Sequence, residues 1–427
     1  MFSQGGLSLE QAPPLSVVLR FFITAAVFGL LLGLFLFANF TEVISSSSGN
    51  TQIIIVHILA LGIMASFMLG ALFQMLPVIA GVTITAPIQK VMIVHVLFVV
   101  GLMVQLFAFK LGSLPILFLL AAFYLGSGLL FALGLMLKEL FKIEDHSSSS
   151  KGMLFALSSF VLTIFFGIYL LLSLGGYVDA SLFIKVKELH YTFALFGWVS
   201  LLIVSISFQV VEMFYVTPKY PTFITTYFIL GIFALLLVKS LAIVLAMESQ
   251  IITIMISALF ILYASVTIHR LYKRKRPTSD ATVWFWRLGM GLLITTMSIT
   301  LIDTLTPLDE RIKILSYITF IGFALSIVFA MVYKIIPFLT WFHLSNQGYI
   351  EAPMMHDIIH PKKAKIHFYI HVIMLFSWVI MTLFNFPIVD IISAILVIIS
   401  FGWLLYNLIY ALKKYNYTQK YTEKFEW

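Results

Sequence analysis

The chain has 427 residues, 61% of them hydrophobic and 10% charged, with a mean hydropathy of +1.07. No globule of this length has interior enough to hide so much apolar surface, so a water-soluble fold is excluded and an integral membrane protein in a lipid bilayer is expected. The formal charge of +8 calls for no nucleic acid, since basic loops against anionic head groups account for it, and the lack of cysteine excludes disulfides, zinc-thiolate sites and iron–sulfur clusters.

An apolar run of about 20 residues crosses roughly 30 Å of hydrocarbon. Runs of that kind fall at 16–40, 52–80, 88–110, 114–138, 152–175, 183–213, 222–247, 250–272, 282–303, 312–340, 366–386 and 388–412. The stretch MFSQGGLSLEQAPPLSVVLR has no basic n-region and no small-residue cleavage site, and it reads as retained. Ser45–Ser48 and Ser147–Ser150 read as flexible connections, and the longest interruption, 341–365, is too short to bury a core of its own. The expectation is one all-α polytopic membrane domain over 1–427 with no soluble domain. Its twelve spans divide into three four-helix pseudo-repeats, roughly 16–138, 152–272 and 282–412. With the N-terminus inside, 18 Lys and Arg fall in cytoplasmic loops and tails against five outside (Lys110, Lys185, Lys187, Arg311 and Lys313), which puts both termini in the cytoplasm.

Three segments share one pattern: LGIMASFMLGALFQMLPV, FGWVSLLIVSISFQVVEM and IGFALSIVFAMVYKIIPF. In each, a glycine (Gly62, Gly197, Gly322) is followed twelve residues later by Gln74, Gln209 or Lys334, and three further on by Pro77, Glu212 or Pro337. The glycines are 135 and 125 residues apart and lie on spans two, six and ten, the second helix of each unit.

Ionisable groups inside spans are the default functional candidates, because each is costly unless paired or solvated. His57, His190 and Tyr317 lie toward the outer ends of the three repeated spans. His57 and Tyr317 are equivalent on the glycine alignment, whereas Thr192 takes that place in the second unit. The two histidines admit two readings: ligands for a haem or metal, or hydrogen bonds to a carbonyl or hydroxyl nearby. The inner polar layer of Gln74, Gln209, Glu212 and Lys334 is expected to contain a Lys334–Glu212 ion pair, either a clamp or an ion-coupling site. The Gln amides are expected to take carbonyls freed by the prolines. Lys239 has Asp303 and Glu248 as distant partners or snorkels outward. His356 with His360, and His367 with His371, have the i,i+4 spacing that brings two imidazoles to one helix face, a weak metal-site signal without a third ligand. No P-loop, GxSxG, HExxH or CxxCH motif occurs.

The twelve spans in three units, the cytoplasmic termini and the outer-side histidines of spans two and six resemble subunit I of the haem-copper oxidases and nitric oxide reductases. The stretches HILALGIMASFMLGALFQMLPVIAG, HYTFALFGWVSLLIVSISFQVVEMF and MVYKIIPFLTWFHL look more like divergent bacterial relatives, including the haem- and copper-associated proteins of nitric oxide tolerance. By position, His57 matches the span-two axial haem ligand and His190 lies near the span-six copper ligand. The pattern also requires two copper histidines after span seven and two haem-ligating histidines on span ten. Here Ile251–Phe260 contains no His, and span ten offers Tyr317. The resemblance therefore implies an inner-membrane protein without the full binuclear centre, so oxidase or reductase turnover by this chain alone is not expected. What it leaves is one b-type haem or copper ion near His57 and His190, serving electron transfer, sensing or cofactor handling beside respiratory or denitrification subunits. The competing class is a non-redox transporter or an assembly scaffold.

Overall fold

The computed structural model describes residues 13–39, 49–82, 84–276, 280–384 and 386–424; the Ser45–Ser48 connection lies outside them. Among the described residues twelve helices are long and apolar enough to cross a bilayer: α1 (Leu15–Ala38), α2 (Gly49–Ala80), α3 (Pro87–Leu111), α4 (Pro115–Leu140), α5 (Ser148–Leu174), α6 (Phe183–Tyr215), α7 (Thr222–Val244), α8 (Gln250–Tyr272), α9 (Ala281–Leu305), α10 (Glu310–Asn346), α11 (Pro361–Leu383) and α12 (Pro387–Tyr421). No strand is found among these residues, only one antiparallel bridge between Tyr349 and Lys424.

The helix ends follow local chemistry. Proline opens α3, α4, α11 and α12, where its fixed φ suits a first turn and its missing N–H is not needed. Ser147 does not belong to a loose connection. It caps α5, its hydroxyl accepting from the Ser150 N–H at 3.1 Å. Pro77 and Pro337 sit inside α2 and α10 without ending them at once. α2 stops four residues after Pro77 at Gly81, whose φ of +66° lets Gly81 and Val82 return their N–H groups to the Pro77 and Leu76 carbonyls. At 37 and 35 residues, α10 and α12 outrun the expected spans. At 1.5 Å per residue they are about 55 and 52 Å long, so their last turns extend past a hydrocarbon layer of roughly 30 Å. Beyond the apolar part, side chains join them: Gln419 donates to Gln347 at 2.8 Å, and Gln347 to Tyr415 at 3.0 Å.

The chain divides into two compact units, which cut across the expected groups of four helices. The first takes in Leu72–Arg276 and Leu293–Leu308. Within it α3 packs on α4, α4 on α5, and α5 on α6, with α7 against both α5 and α6. Lipid is as apolar as leucine, so helices associate in a bilayer through close packing, and small residues permit it. A Cβ on Gly101 would stand 2.7 Å from the Leu125 nitrogen, and one on Gly152 2.3 Å from the Ser205 Cβ. Phe160 and Trp198 stack at 4.2 Å between α5 and α6.

The second unit takes in Pro14–Ala71, Pro277–Leu292 and Asp309–Trp427. Here α1 lies along α12, α11 against α10 and α12, and the first part of α2 against α1. The closest approach is at Gly29 and Gly33 of α1. A Cβ on Gly29 would fall 2.1 Å from Phe401 Cδ1, and one on Gly33 2.9 Å from the Ile398 backbone nitrogen. Gly62 and Gly70 of α2 meet Phe28 and Phe21 of α1 in the same way.

Candidate functional site

Both histidines singled out on α2 and α6 stand beside an irregularity of their helix. Residues Ile58–Ala65 and Phe193–Ser200 are π-helical, with hydrogen bonds closing i→i+5. Each stretch runs from four residues before the shared glycine, Gly62 or Gly197, to three after it. α10 stays α-helical around Gly322. A π-turn accommodates one residue more than an α-turn, so what precedes it is rotated by about 100° relative to an unbroken helix. His57 and Tyr317, equivalent in sequence, therefore present different faces. His57 is half-buried, while the Tyr317 side chain is 55% exposed.

His57 immediately precedes its π-turn, and Nδ1 donates to the Ile53 carbonyl at 2.8 Å. His190 stands three residues before the second π-turn and donates from Nδ1 to the Thr163 carbonyl of α5 at 2.9 Å. Gly167 of α5 makes room for that ring, since a Cβ there would lie 3.1 Å from His190 Cε1. A carbonyl only accepts, so both imidazoles carry their proton on Nδ1 and the lone pair on Nε2. This is the arrangement in which a backbone group orients a metal- or haem-binding histidine. His57 belongs to the second unit and His190 to the first. Thr192, at the place equivalent to His57, is buried with Oγ1 lacking a partner.

The inner polar layer differs from expectation. The carboxylate on Lys334 is Asp280, which immediately precedes α9, rather than Glu212. Glu212 turns to the loop after α6, accepting from the Tyr220 N–H at 2.7 Å. Tyr220 in turn donates to Thr267 at 3.0 Å, and burial pushes its phenol up to about 12. Gln74 does not take carbonyls freed by Pro77. Both atoms of its amide are buried without a partner. Gln209 is half-buried on α6.

Burial alone would raise the Asp280 carboxyl. Lys334 and the Thr282 N–H and hydroxyl outweigh it and hold the group below the usual carboxylate range. A depressed folded-state pKa contributes stability above the unfolded value of about 3.9 and loses it as pH falls through the folded one. Asp280→Asn should therefore cost about 1–3 kcal/mol at pH 7, between the values for exposed and buried pairs. The gap in thermal midpoint between variant and parent should close as the pH is taken below 4; a gap that persists there would place the loss elsewhere.

Lys239 neither snorkels nor meets Asp303 or Glu248. Its ammonium donates to Thr253 on α8 at 3.0 Å. His356 and His360 do not share a helix face, since the short helix Met355–Ile358 ends before His360, whose Nδ1 accepts from the Lys362 N–H to cap α11. His367 and His371 do share a face of α11, and both are completely buried. Their Nε2 atoms lie 3.0 Å from Ser400 Oγ and 2.9 Å from Ser326 Oγ. Among the described residues no group of three or more His, Asp or Glu stands together as a metal site.

No protein-family model matches the sequence, and no curated protein matches it either. Function therefore has to be argued from these side chains.

Proposed function

We propose that this chain is a multi-pass protein of a bacterial inner membrane, with cytoplasmic termini, that binds one b-type haem through His57. In layout it resembles subunit I of the haem-copper oxidases without the full binuclear centre. Its role is electron transfer, sensing or cofactor handling beside respiratory or denitrification subunits. The observation that carries the reading is the His57 imidazole at the mouth of a π-turn, its tautomer set by the Ile53 carbonyl so that Nε2 offers a lone pair. π-turns inside α-helices occur often at functional sites. A bound haem would supply a one-electron redox centre; His57 would hold its iron and the Ile53 carbonyl would orient the ring. Copper at His57 or His190 fits less well, because it needs further donors and no such group is assembled among the described residues.

Two observations support the threefold repeat. The two π-turns share one register about their glycines. Gly62, Gly197 and Gly322 each meet the first helix of their own group, at Phe28, Ser159 and Leu292. The topology rests on the 18-to-5 distribution of Lys and Arg.

The test is a reduced pyridine haemochrome spectrum of protein purified in mild detergent from haem-replete cells. Close to one haem per chain is expected. A colourless protein would overturn the reading and leave a transporter or scaffold.

A further inference from the structure

The second unit holds a column of buried polar groups that haem binding at His57 does not use. It begins at the Asp280–Lys334 pair. Next to Lys334 in sequence, the Tyr333 hydroxyl accepts from Asn407 at 3.3 Å. The Tyr333 ring lies 5.6 Å from that of His367, which is tied to Ser400 of α12. One turn along α11, His371 is tied to Ser326 of α10. Ser326 gives its own hydroxyl proton to the Gly322 carbonyl at 2.7 Å, so it accepts from His371, and the His371 lone pair is on Nδ1. Ser393 and Asp390 continue the buried face of α12 to its first turn.

Five atoms along this column are buried without a hydrogen-bond partner: Asn407 Oδ1, His367 Nδ1, His371 Nδ1, Ser393 Oγ and Asp390 Oδ2. All belong to α11 or α12, in residues no more than 6% exposed. Orphans of this kind are costly unless water reaches them. On α12 the steps from Asp390 to Ser393, Ser400 and Asn407 are about 4.5, 10 and 10 Å of helical rise, so a relay along them requires chains of bridging water.

We propose that the second unit conducts protons between the first turn of α12 and the start of α9, through Asp390, His371, His367, Tyr333 and the Asp280–Lys334 pair. Carboxyl, imidazole and phenol groups exchange protons, and inside a membrane such chains serve as relays. The middle of the column suits a proton and not a hydrated metal ion. Phe329 packs 4.6 Å from His367 and 5.1 Å from His371, and Phe285 lies 6.0 and 5.6 Å from them, so aromatic rings line the two imidazoles. Each hop is balanced. His371 takes the excess proton of a protonated water at Nδ1, becoming imidazolium, and yields it from the same atom to the next water, while its Nε2–H stays directed at Ser326 Oγ.

The test uses the whole protein in phosphatidylcholine vesicles that hold potassium and a pH-sensitive dye, with valinomycin setting the membrane potential. Wild-type vesicles should change internal pH at least about tenfold faster than protein-free ones, and His371→Gln and Asp390→Asn should each remove most of that excess. Both variants are first checked by size exclusion. If His371→Gln does not fold, the near-isosteric Asp390→Asn still decides. Wild-type vesicles no faster than empty ones overturn the proposal, as does a flux that neither folded variant changes. The assay needs no haem, so it stands or falls separately from the haemochrome.

Discussion

Protein carrying His57→Ala should purify as a folded, colourless chain, with haem content at least about tenfold below that of the parent, the lower end of the range by which even residues supporting a metal ligand change affinity. The expectation of folding comes from where the ring sits. His57 is half-buried, and its hydrogen bond goes to a carbonyl of its own helix, four residues back. Removing the ring ends that intrahelical bond, and losing a hydrogen bond of this kind costs about 1 kcal/mol. His190 is a useful contrast, because its bond crosses from α6 to the Thr163 carbonyl of α5, and truncation there strips a contact between helices. Absorbance and circular dichroism on the same sample check the outcome. Retained pigment in folded His57→Ala protein would remove His57 as the ligand.

Gly33→Leu should be the most damaging single change in the second unit. A Cβ at this position would meet Ile398 Cγ1 at 2.6 Å, the Ile398 nitrogen at 2.9 Å and the Ala394 carbonyl at 3.1 Å. Two of these are backbone atoms of α12, which cannot swing aside as a side chain can. α1 and α12 would have to part along their length, opening the contacts at Gly29 and Phe401 as well. Overpacking typically costs about 1–3 kcal/mol when side chains can adjust. Here the loss should exceed about 3 kcal/mol, seen as a large drop in thermal midpoint in detergent or failure to recover folded protein. Gly402→Ala is the matched control on the same pair of helices, since its Cβ would meet only Leu30 Cδ2 at an ordinary 3.7 Å. Equal loss in both would contradict the packing account.

The twelve spans were legible because each is a long apolar run bounded by proline, glycine or charge, and hydropathy reads such runs directly. The overhangs of α10 and α12 were not, since a helix held beyond the bilayer by Gln347, Tyr415 and Gln419 leaves no apolar signal. The π-turns were equally hidden: ILALGIMA and FALFGWVS have nothing in composition that separates i→i+5 from i→i+4 bonding. This is why aligning on the glycine suggested a common face for His57 and Tyr317 that the backbone rotates apart. The partner of Lys334 is not legible in the repeated layer, because Asp280 comes from the connection before α9. A readable signal did exist for the tightest helix contact: GLLLG in α1 has the small-xxx-small spacing that lets membrane helices touch.

The paired π-turns also bear on descent. A π-turn holds one residue more than the α-turn it replaces, so between copies of one helix it reads as a one-residue insertion. If the three groups of helices are copies, a π-turn at the same distance from Gly62 and Gly197, with none at Gly322, leaves two histories. The inserted residue either entered a common ancestor of the first two groups after the third had separated, or was present in all and was deleted from the lineage of α10.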